Sequence, residues 1–176
     1  MPDATLPAVR RRFGLAHLIF LLLLAALLGQ MAWYYPQLPG RMASHFNIEG
    51  HANAYMPKDM FLKLHLGIAG LLSAVFLVLP MIIVRLPPSL INLPNKDYWL
   101  DPERRDHTGR VIQSFLVGYG NAVLLLLVVV FGDTMRASLM PVPHLSNRIW
   151  AMLAFLFGFM VLQTVRFFRA FRLPEK

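Results

Sequence analysis

The sequence contains no cysteine and few charged residues. Of its 176 residues only 15% are charged, whereas 57% are hydrophobic. Without cysteine, disulfides, thiolate catalysis, iron–sulfur clusters and cysteine-ligated zinc are excluded. The apolar residues lie in blocks of about twenty rather than in amphipathic stripes, which is typical of helices that cross a bilayer. We therefore predict an integral membrane protein, in which residues 1–176 form a single four-helix domain, with the lipid bilayer as its first partner.

Other features that the sequence lacks disfavour several classes of function. No carboxylate lies deep in an apolar block, although proton- and ion-coupled transporters normally need such groups. The sequence has no nucleotide-binding glycine loop, serine-nucleophile elbow or haem-attachment motif. The net charge of +8 would suggest nucleic acid in a soluble protein, but here the basic residues flank the apolar blocks. We therefore predict no cofactor and no nucleic-acid partner, and we favour a non-enzymatic protein.

The apolar blocks predict an all-α fold with four transmembrane helices. The expected spans are residues 15–34, 64–84, 111–131 and 149–168. The third helix is expected to start near Pro102 and to end at Gly132, before a linker at Asp133–Leu145. The first block could also be a secretory signal, but it is long for one and no small-x-small cleavage site follows it.

The positive charges predict the topology. Twelve basic residues fall on one side of the four spans: Arg10, Arg11, Arg12, Arg85, Lys96, Arg104, Arg105, Arg110, Arg166, Arg169, Arg172 and Lys176. Five fall on the other: Arg41, Lys58, Lys63, Arg136 and Arg148. Because cytoplasmic loops carry the excess of Lys and Arg, both termini are expected inside and the 34–58 loop outside.

The loop at residues 34–58 is the longest polar interval between two apolar blocks. Its glycines, prolines and asparagines are typical of tight turns, so we predict an ordered extracytoplasmic loop. An ordered polar loop can bind a protein or peptide partner, or it can serve only as a structural lid. The candidate binding residues are His45, Asn47, Glu49, His51, Asn53, Tyr55 and Lys58.

Three of these residues, His45, Glu49 and His51, are also candidate metal ligands. Neutral imidazoles and a carboxylate can converge on zinc. In the helical zinc motif the histidines lie four residues apart on one face, whereas His45 and His51 lie six apart with Gly50 between them. Only a loop could bring them together. A membrane-embedded enzyme with His45 as base or ligand and Lys58 as an anion-binding group is the corresponding alternative function.

Two further groups stand out. Gly118, Gly120 and Asn121 lie near the middle of the third span, where small residues allow close helix approach and an amide bonds across the interface. The alternative is a substrate path, as in a small transporter. In the polar segment 92–105, Lys96, Tyr98, Trp99, Arg104 and Arg105 predict either interfacial anchoring or a docking site for a cytoplasmic partner.

Leu38-Pro39, His45-Phe46-Asn47, Gly50, Tyr55 and Lys58 resemble the signature of a domain of unknown function. That domain occurs at the N-terminus of the SdpI-type immunity proteins, which protect bacteria from a sporulation-delaying toxin. The resemblance implies a multi-pass protein of the bacterial cytoplasmic (inner) membrane, with an immunity-like, sensory or accessory-subunit role. The family pattern has Ile-Pro where this sequence has Met42-Ala43, and Asp where it has Asn53. Without that carboxylate, an inherited metal or acid–base role for the loop is weakened.

Overall fold

The structure is a computed structural model that describes residues 14–83 and 85–174. It is mostly helical, and four of its helices are long and apolar enough to cross a membrane. These helices indicate a multi-pass membrane protein in a lipid bilayer. The basic residues at positions 10–12 and 176, which are predicted to lie on the cytoplasmic side, are outside the described residues. Position 84, at the end of the second predicted span, is also outside them.

The elements follow one another as helices interrupted by one hairpin. They are α1 (Leu15–Tyr34), a 3₁₀ turn (Tyr35–Gln37), β1 (Arg41–Phe46), β2 (Ala52–Pro57), α2 (Lys58–Ser73), a π turn (Ala74–Val78), α3 (Leu79–Ile83), a second 3₁₀ turn (Pro88–Leu90), α4 (Lys96–Trp99), α5 (Arg105–Ser138) and α6 (Arg148–Ala170). The loop predicted only as ordered is thus a two-stranded antiparallel hairpin.

The first and fourth predicted spans match α1 and α6 to within two residues. The predicted end of the third helix at Gly132 was wrong, because α5 continues to Ser138. Glycine is a poor helix former, but the following turns bury Asp133, Met135 and Ser138. Burial of these residues outweighs the weak helix propensity of Gly132. The predicted start of this helix near Pro102 was also too early, because residues 102–104 form a turn and α5 begins at Arg105.

The second span is continuous from Lys58 to Ile83 but changes its winding near the middle. A π turn at Ala74–Val78 precedes Pro80. Proline cannot supply an N–H to the helical ladder and crowds the preceding turn, and a π turn is a common local adjustment of an α-helix. Phe76 lies within the π turn and packs on Gly120 of α5.

Two buried clusters hold the chain together. The larger one lies between α1, the hairpin, α2 and α5 and includes Phe20, Leu27, Met42, Phe61, Val117, Leu124, Phe131 and Met135. The smaller one lies at the opposite end of the bundle and includes Ile91, Leu93, Leu100, Ile112 and Phe171. We call these two ends the hairpin end and the connector end, after the hairpin at 41–57 and the connector at residues 85–104.

Candidate functional site

The hairpin end carries the candidate binding residues. In β1 and β2, Met42 faces Met56 and Ala43 faces Tyr55, with register shifts on either side of His45. At the tip, Asn47 accepts the His51 N–H through its side-chain oxygen at 2.8 Å, and its backbone exchanges bonds with Gly50 and His51. The asparagine and glycine singled out as turn residues therefore close a tight turn.

One strand of the hairpin is anchored on α5. Met42 and Ala43 are fully buried, and the Ala43 N–H donates to Ser138 Oγ at 3.2 Å. These two residues stand where the family pattern has Ile-Pro. A proline at position 43 would lack the N–H that makes this bond, so the departure from the pattern has a structural use here.

The tip of the hairpin is anchored on the α5–α6 linker. The Leu145 N–H donates to the Gly50 C=O at 2.9 Å, and the Ala52 N–H donates to the Pro143 C=O at 3.3 Å. The imidazole rings of His51 and His144 meet edge to face with centroids 5.0 Å apart. Gly50 has a φ of +87°, and a Cβ on it would lie 2.9 Å from the Leu145 carbonyl oxygen. This position therefore requires glycine.

The outward face of the hairpin keeps its side chains accessible. His45 Nδ1 and Asn53 Oδ1 lie 2.5 Å apart in an exposed hydrogen bond. Tyr55 is 46% exposed and Ile48, at the tip, is 80% exposed. Glu49 is exposed beside it. A backbone held on two sides thus presents polar, aromatic and aliphatic groups together.

Lys58 lies at the base of the hairpin, away from this face. Its Nζ is 4.9 Å from the centre of the Tyr35 ring, a cation–π contact. The Tyr35 hydroxyl donates to Asp59 Oδ1 at 2.6 Å. These contacts tie the end of α1 to the start of α2, so Lys58 has a structural partner.

The structure does not bring the candidate metal ligands together. His45 pairs with Asn53, His51 contacts His144, and Glu49 lies exposed at the tip. Within residues 14–83 and 85–174, no three His, Asp or Glu side chains are arranged to hold a metal ion. Lys58 also lies apart, so the convergent pocket that the enzyme alternative needs is not formed by these residues.

An ion-pair cluster at the hairpin end was missed from the sequence. Asp133 is 5% exposed and receives two hydrogen bonds from the guanidinium of Arg148, one of them Nε to Oδ2 at 2.8 Å. Arg136 Nη1 lies 3.7 Å from the same carboxylate, and its Nε donates to the Tyr34 hydroxyl at 3.0 Å. The cluster joins α1, α5 and α6 and holds the linker that supports the hairpin tip. The sequence predicts Asp133 only as the first residue of a linker.

The residues proposed for helix packing lie at helix contacts. A Cβ on Gly120 would lie 2.7 Å from both Phe20 of α1 and Phe76, and a Cβ on Gly118 would lie 2.9 Å from Gln163 Nε2 of α6. Asn121 Nδ2 donates to the Ala16 carbonyl at 3.0 Å. Such close approach does not favour a substrate path at this level of the bundle.

His65 makes core contacts that the sequence did not indicate. It is fully buried on α2, its Nε2 lies 2.8 Å from the Leu27 carbonyl oxygen, and its ring packs on Phe131 with centroids 4.7 Å apart. It therefore joins α1, α2 and α5 in the larger core.

The connector end uses its aromatic and basic residues for internal contacts. Trp99 Nε1 and Asn95 Nδ2 both donate to the Phe171 carbonyl, at 3.0 and 2.8 Å. Arg104 lies 4.1 Å from the Tyr98 ring centre and donates to its carbonyl. Arg105 donates to the Leu86 carbonyl at 2.6 Å. Of the five predicted docking residues, Lys96 is exposed and the other four are half-buried.

Comparison with known proteins locates one domain. Residues 20–70 match a family described as a domain of unknown function, DUF1648. The match confirms the resemblance predicted from the 38–58 signature. The DUF1648 segment spans most of α1, the whole hairpin and most of α2, so it contains the outward face described above. No curated protein and no solved structure matches the chain.

Proposed function

We propose that this chain is a non-enzymatic protein of the bacterial inner membrane that binds a polypeptide partner through the outward face of its hairpin. The observation that carries the proposal is the combination of a fixed backbone and free side chains. Ser138 and the 143–145 linker hold the hairpin, whereas His45, Asn53 and Tyr55 stay exposed. A preorganised surface of this kind loses little entropy on binding.

The outer edge of β2 suggests how a peptide would bind. Ala43 faces Tyr55 across the ladder and gives its N–H to Ser138 instead of β2. A facing pair in an antiparallel ladder exchanges both bonds or neither, so the main-chain groups of Tyr55 point to the outer edge. The 143–145 linker pairs with the hairpin near its tip, at Gly50 and Ala52, and among the described residues no third strand pairs with β2 at Tyr55. An extended peptide can add to such an edge and use neighbouring side chains for specificity.

The topology belongs to the same proposal: both termini inside and the hairpin outside. Support comes from the excess of basic residues at the connector end. The chain lacks cysteine, so single-cysteine variants test it directly. Ile48→Cys and Leu90→Cys place thiols on residues 80% and 68% exposed at opposite ends. A membrane-impermeant maleimide should label only Ile48→Cys in intact spheroplasts and both variants after lysis. Labelling of Leu90→Cys alone in intact spheroplasts would reverse the topology.

The binding proposal is tested by photo-crosslinking in native membranes. A benzophenone side chain is placed at Ile48, at Tyr55 or, as the control, at Leu90. We expect one and the same protein adduct from the two hairpin positions and none of it from Leu90. That partner is then purified and titrated against two variants. Tyr55→Pro removes the outer N–H, whereas Tyr55→Ala keeps it, so the proline variant should bind more weakly. Lipid adducts alone, or the same protein from all three positions, would refute the proposal.

An immunity-like, sensory or accessory-subunit role is the finer form of this proposal. It is supported by the DUF1648 match at 20–70 and by the resemblance to the SdpI-type proteins. The identity of the crosslinked protein distinguishes these roles: a secreted toxin for immunity, a membrane neighbour for an accessory subunit.

A further inference from the structure

A groove of about 360 Å³ lies between α5 and α6 at the connector end. Arg110 and Arg166 line its sides, Ser114 and Gln163 lie one turn deeper, and Phe115 and Phe167 form its apolar wall. The two phenyl rings pack with centroids 4.3 Å apart. The groove is therefore cationic at one level and hydrogen-bonding at the next, beside an aromatic wall.

The groove lies where the apolar part of both helices ends. On α5 the apolar block begins directly after Arg110, and on α6 it ends directly before Arg166. Helix α5 has 34 residues and is about 51 Å long, so it extends beyond the roughly 30 Å hydrocarbon core. The two arginines thus mark the same boundary between hydrocarbon and headgroups.

No carboxylate of residues 14–83 and 85–174 forms an ion pair with the guanidinium groups of the groove. Among the described residues, every ion pair involves Arg104, Arg136 or Arg148. Within the part of the chain that the structure describes, the Arg166 guanidinium makes one long hydrogen bond, of 3.5 Å, to Gln163 Oε1. By contrast, the side chains of Arg104 and Arg105 donate hydrogen bonds to backbone carbonyls of the connector. Arg110 and Arg166 are exposed and available to an anion from outside the chain.

From this arrangement we propose that the α5–α6 groove is a binding site for an anionic phospholipid. Arg110 and Arg166 bind the phosphate group, because paired guanidinium groups suit its geometry and charge. Ser114 and Gln163 lie at the depth of the ester carbonyls and donate hydrogen bonds to them. The acyl chains then follow the face of α6 that carries Phe155 and Phe159, whose rings stack, because these residues lie on the same side of the helix as Gln163 and Arg166.

Native mass spectrometry of the purified full chain tests this proposal, with phosphatidylglycerol, phosphatidylcholine and inorganic phosphate as separate probes. We expect the first phosphatidylglycerol to bind at least about tenfold more tightly than phosphatidylcholine, and phosphate alone to bind far more weakly. The variant Arg110→Gln/Arg166→Gln should abolish that preference. The control Arg169→Gln/Arg172→Gln removes equal charge at the same end outside the groove and should change the affinity less than about twofold.

A second variant tests the shape of the groove independently of its charge. Ser114→Trp fills the cavity without changing the net charge and should weaken phosphatidylglycerol binding as strongly as the double arginine variant does. This variant decides the question if the arginine variant does not fold. Equal affinity for the two lipids, equal losses in both double arginine variants, or unchanged binding to Ser114→Trp would each overturn the proposal. Phosphate binding as tightly as the lipid would indicate a free-anion site and would also overturn it.

Discussion

The two ends of the bundle carry similar residue types but use them differently. At the connector end, Trp99, Arg104 and Arg105 bond to carbonyls of the chain itself. At the hairpin end the main chain makes the anchoring bonds, so His45, Asn53 and Tyr55 remain exposed. Polar and aromatic residues in a loop therefore indicate a binding surface only where the backbone, and not the side chains, holds the loop in place.

The difference predicts that substitutions at the connector end mainly affect stability, whereas substitutions on the hairpin face mainly affect binding. Four variants test this division, in order of decreasing effect on stability.

Phe171→Ala should destabilise the protein most. Phe171 is 1% exposed, and its ring packs on Phe167 and Trp99 with centroids 4.9 and 5.7 Å away. Truncating a buried phenylalanine costs about 3–5 kcal/mol, which equilibrium unfolding in mixed micelles would measure. Phe168→Ala is the matched control, because its ring is 56% exposed. Equal losses in the two variants would mean that the connector does not hold the end of α6.

Asp133→Asn should have the next largest effect, because the ion pairs of Asp133 join the helices that support the hairpin. The buried carboxylate pairs with Arg148 and Arg136. Removing one partner of a buried pair costs several kcal/mol, but both arginine side chains are about half exposed, so we expect about 2 kcal/mol. The same unfolding assay measures it. Asp106→Asn on the same helix is the control, since Asp106 has no ion pair with a described residue. A loss below that of Asp106→Asn would contradict the role of the cluster.

Gly50→Ala should loosen the hairpin tip without unfolding the bundle. The residue has φ +87° and no room for a Cβ, so we expect a local cost of about 1–2 kcal/mol. Hydrogen exchange should quicken at the Ala52 and Leu145 amides, which pair the tip with the linker. Gly40→Ala has open space around its Cβ and should leave exchange unchanged. Unaltered exchange in Gly50→Ala would show that the tip does not depend on this contact.

Asn53→Ala should have the smallest effect on stability. It removes only the exposed bond to His45, so we expect a change below about 0.5 kcal/mol. Affinity for the crosslinked partner should nevertheless fall. Asn92→Ala, an exposed asparagine at the connector end, serves as the control and should leave that affinity unchanged. A destabilisation above about 1 kcal/mol by Asn53→Ala would make the outward face structural and would remove the contrast between the two ends.

The helical spans were predictable because each depends on local composition. A block of about twenty apolar residues is stable in a bilayer as a helix whatever its neighbours do. This is why α1 and α6 lie close to their predicted bounds. The 38–58 signature likewise pointed to the DUF1648 segment, since it consists of contiguous residues.

The contacts between distant residues could not be predicted in the same way. Nothing local to Asp133 indicates that it pairs with Arg148, so the sequence predicts a helix end at Gly132, whereas the helix continues to Ser138. The pairing of Gly50 with Leu145 depends on the position of a linker almost a hundred residues away. Composition and local pattern were enough to predict a membrane protein of four spans with an ordered polar loop. Only the tertiary structure decided that this loop is a hairpin fixed through its backbone, because such bonds form when packing brings remote segments within about 3 Å of each other.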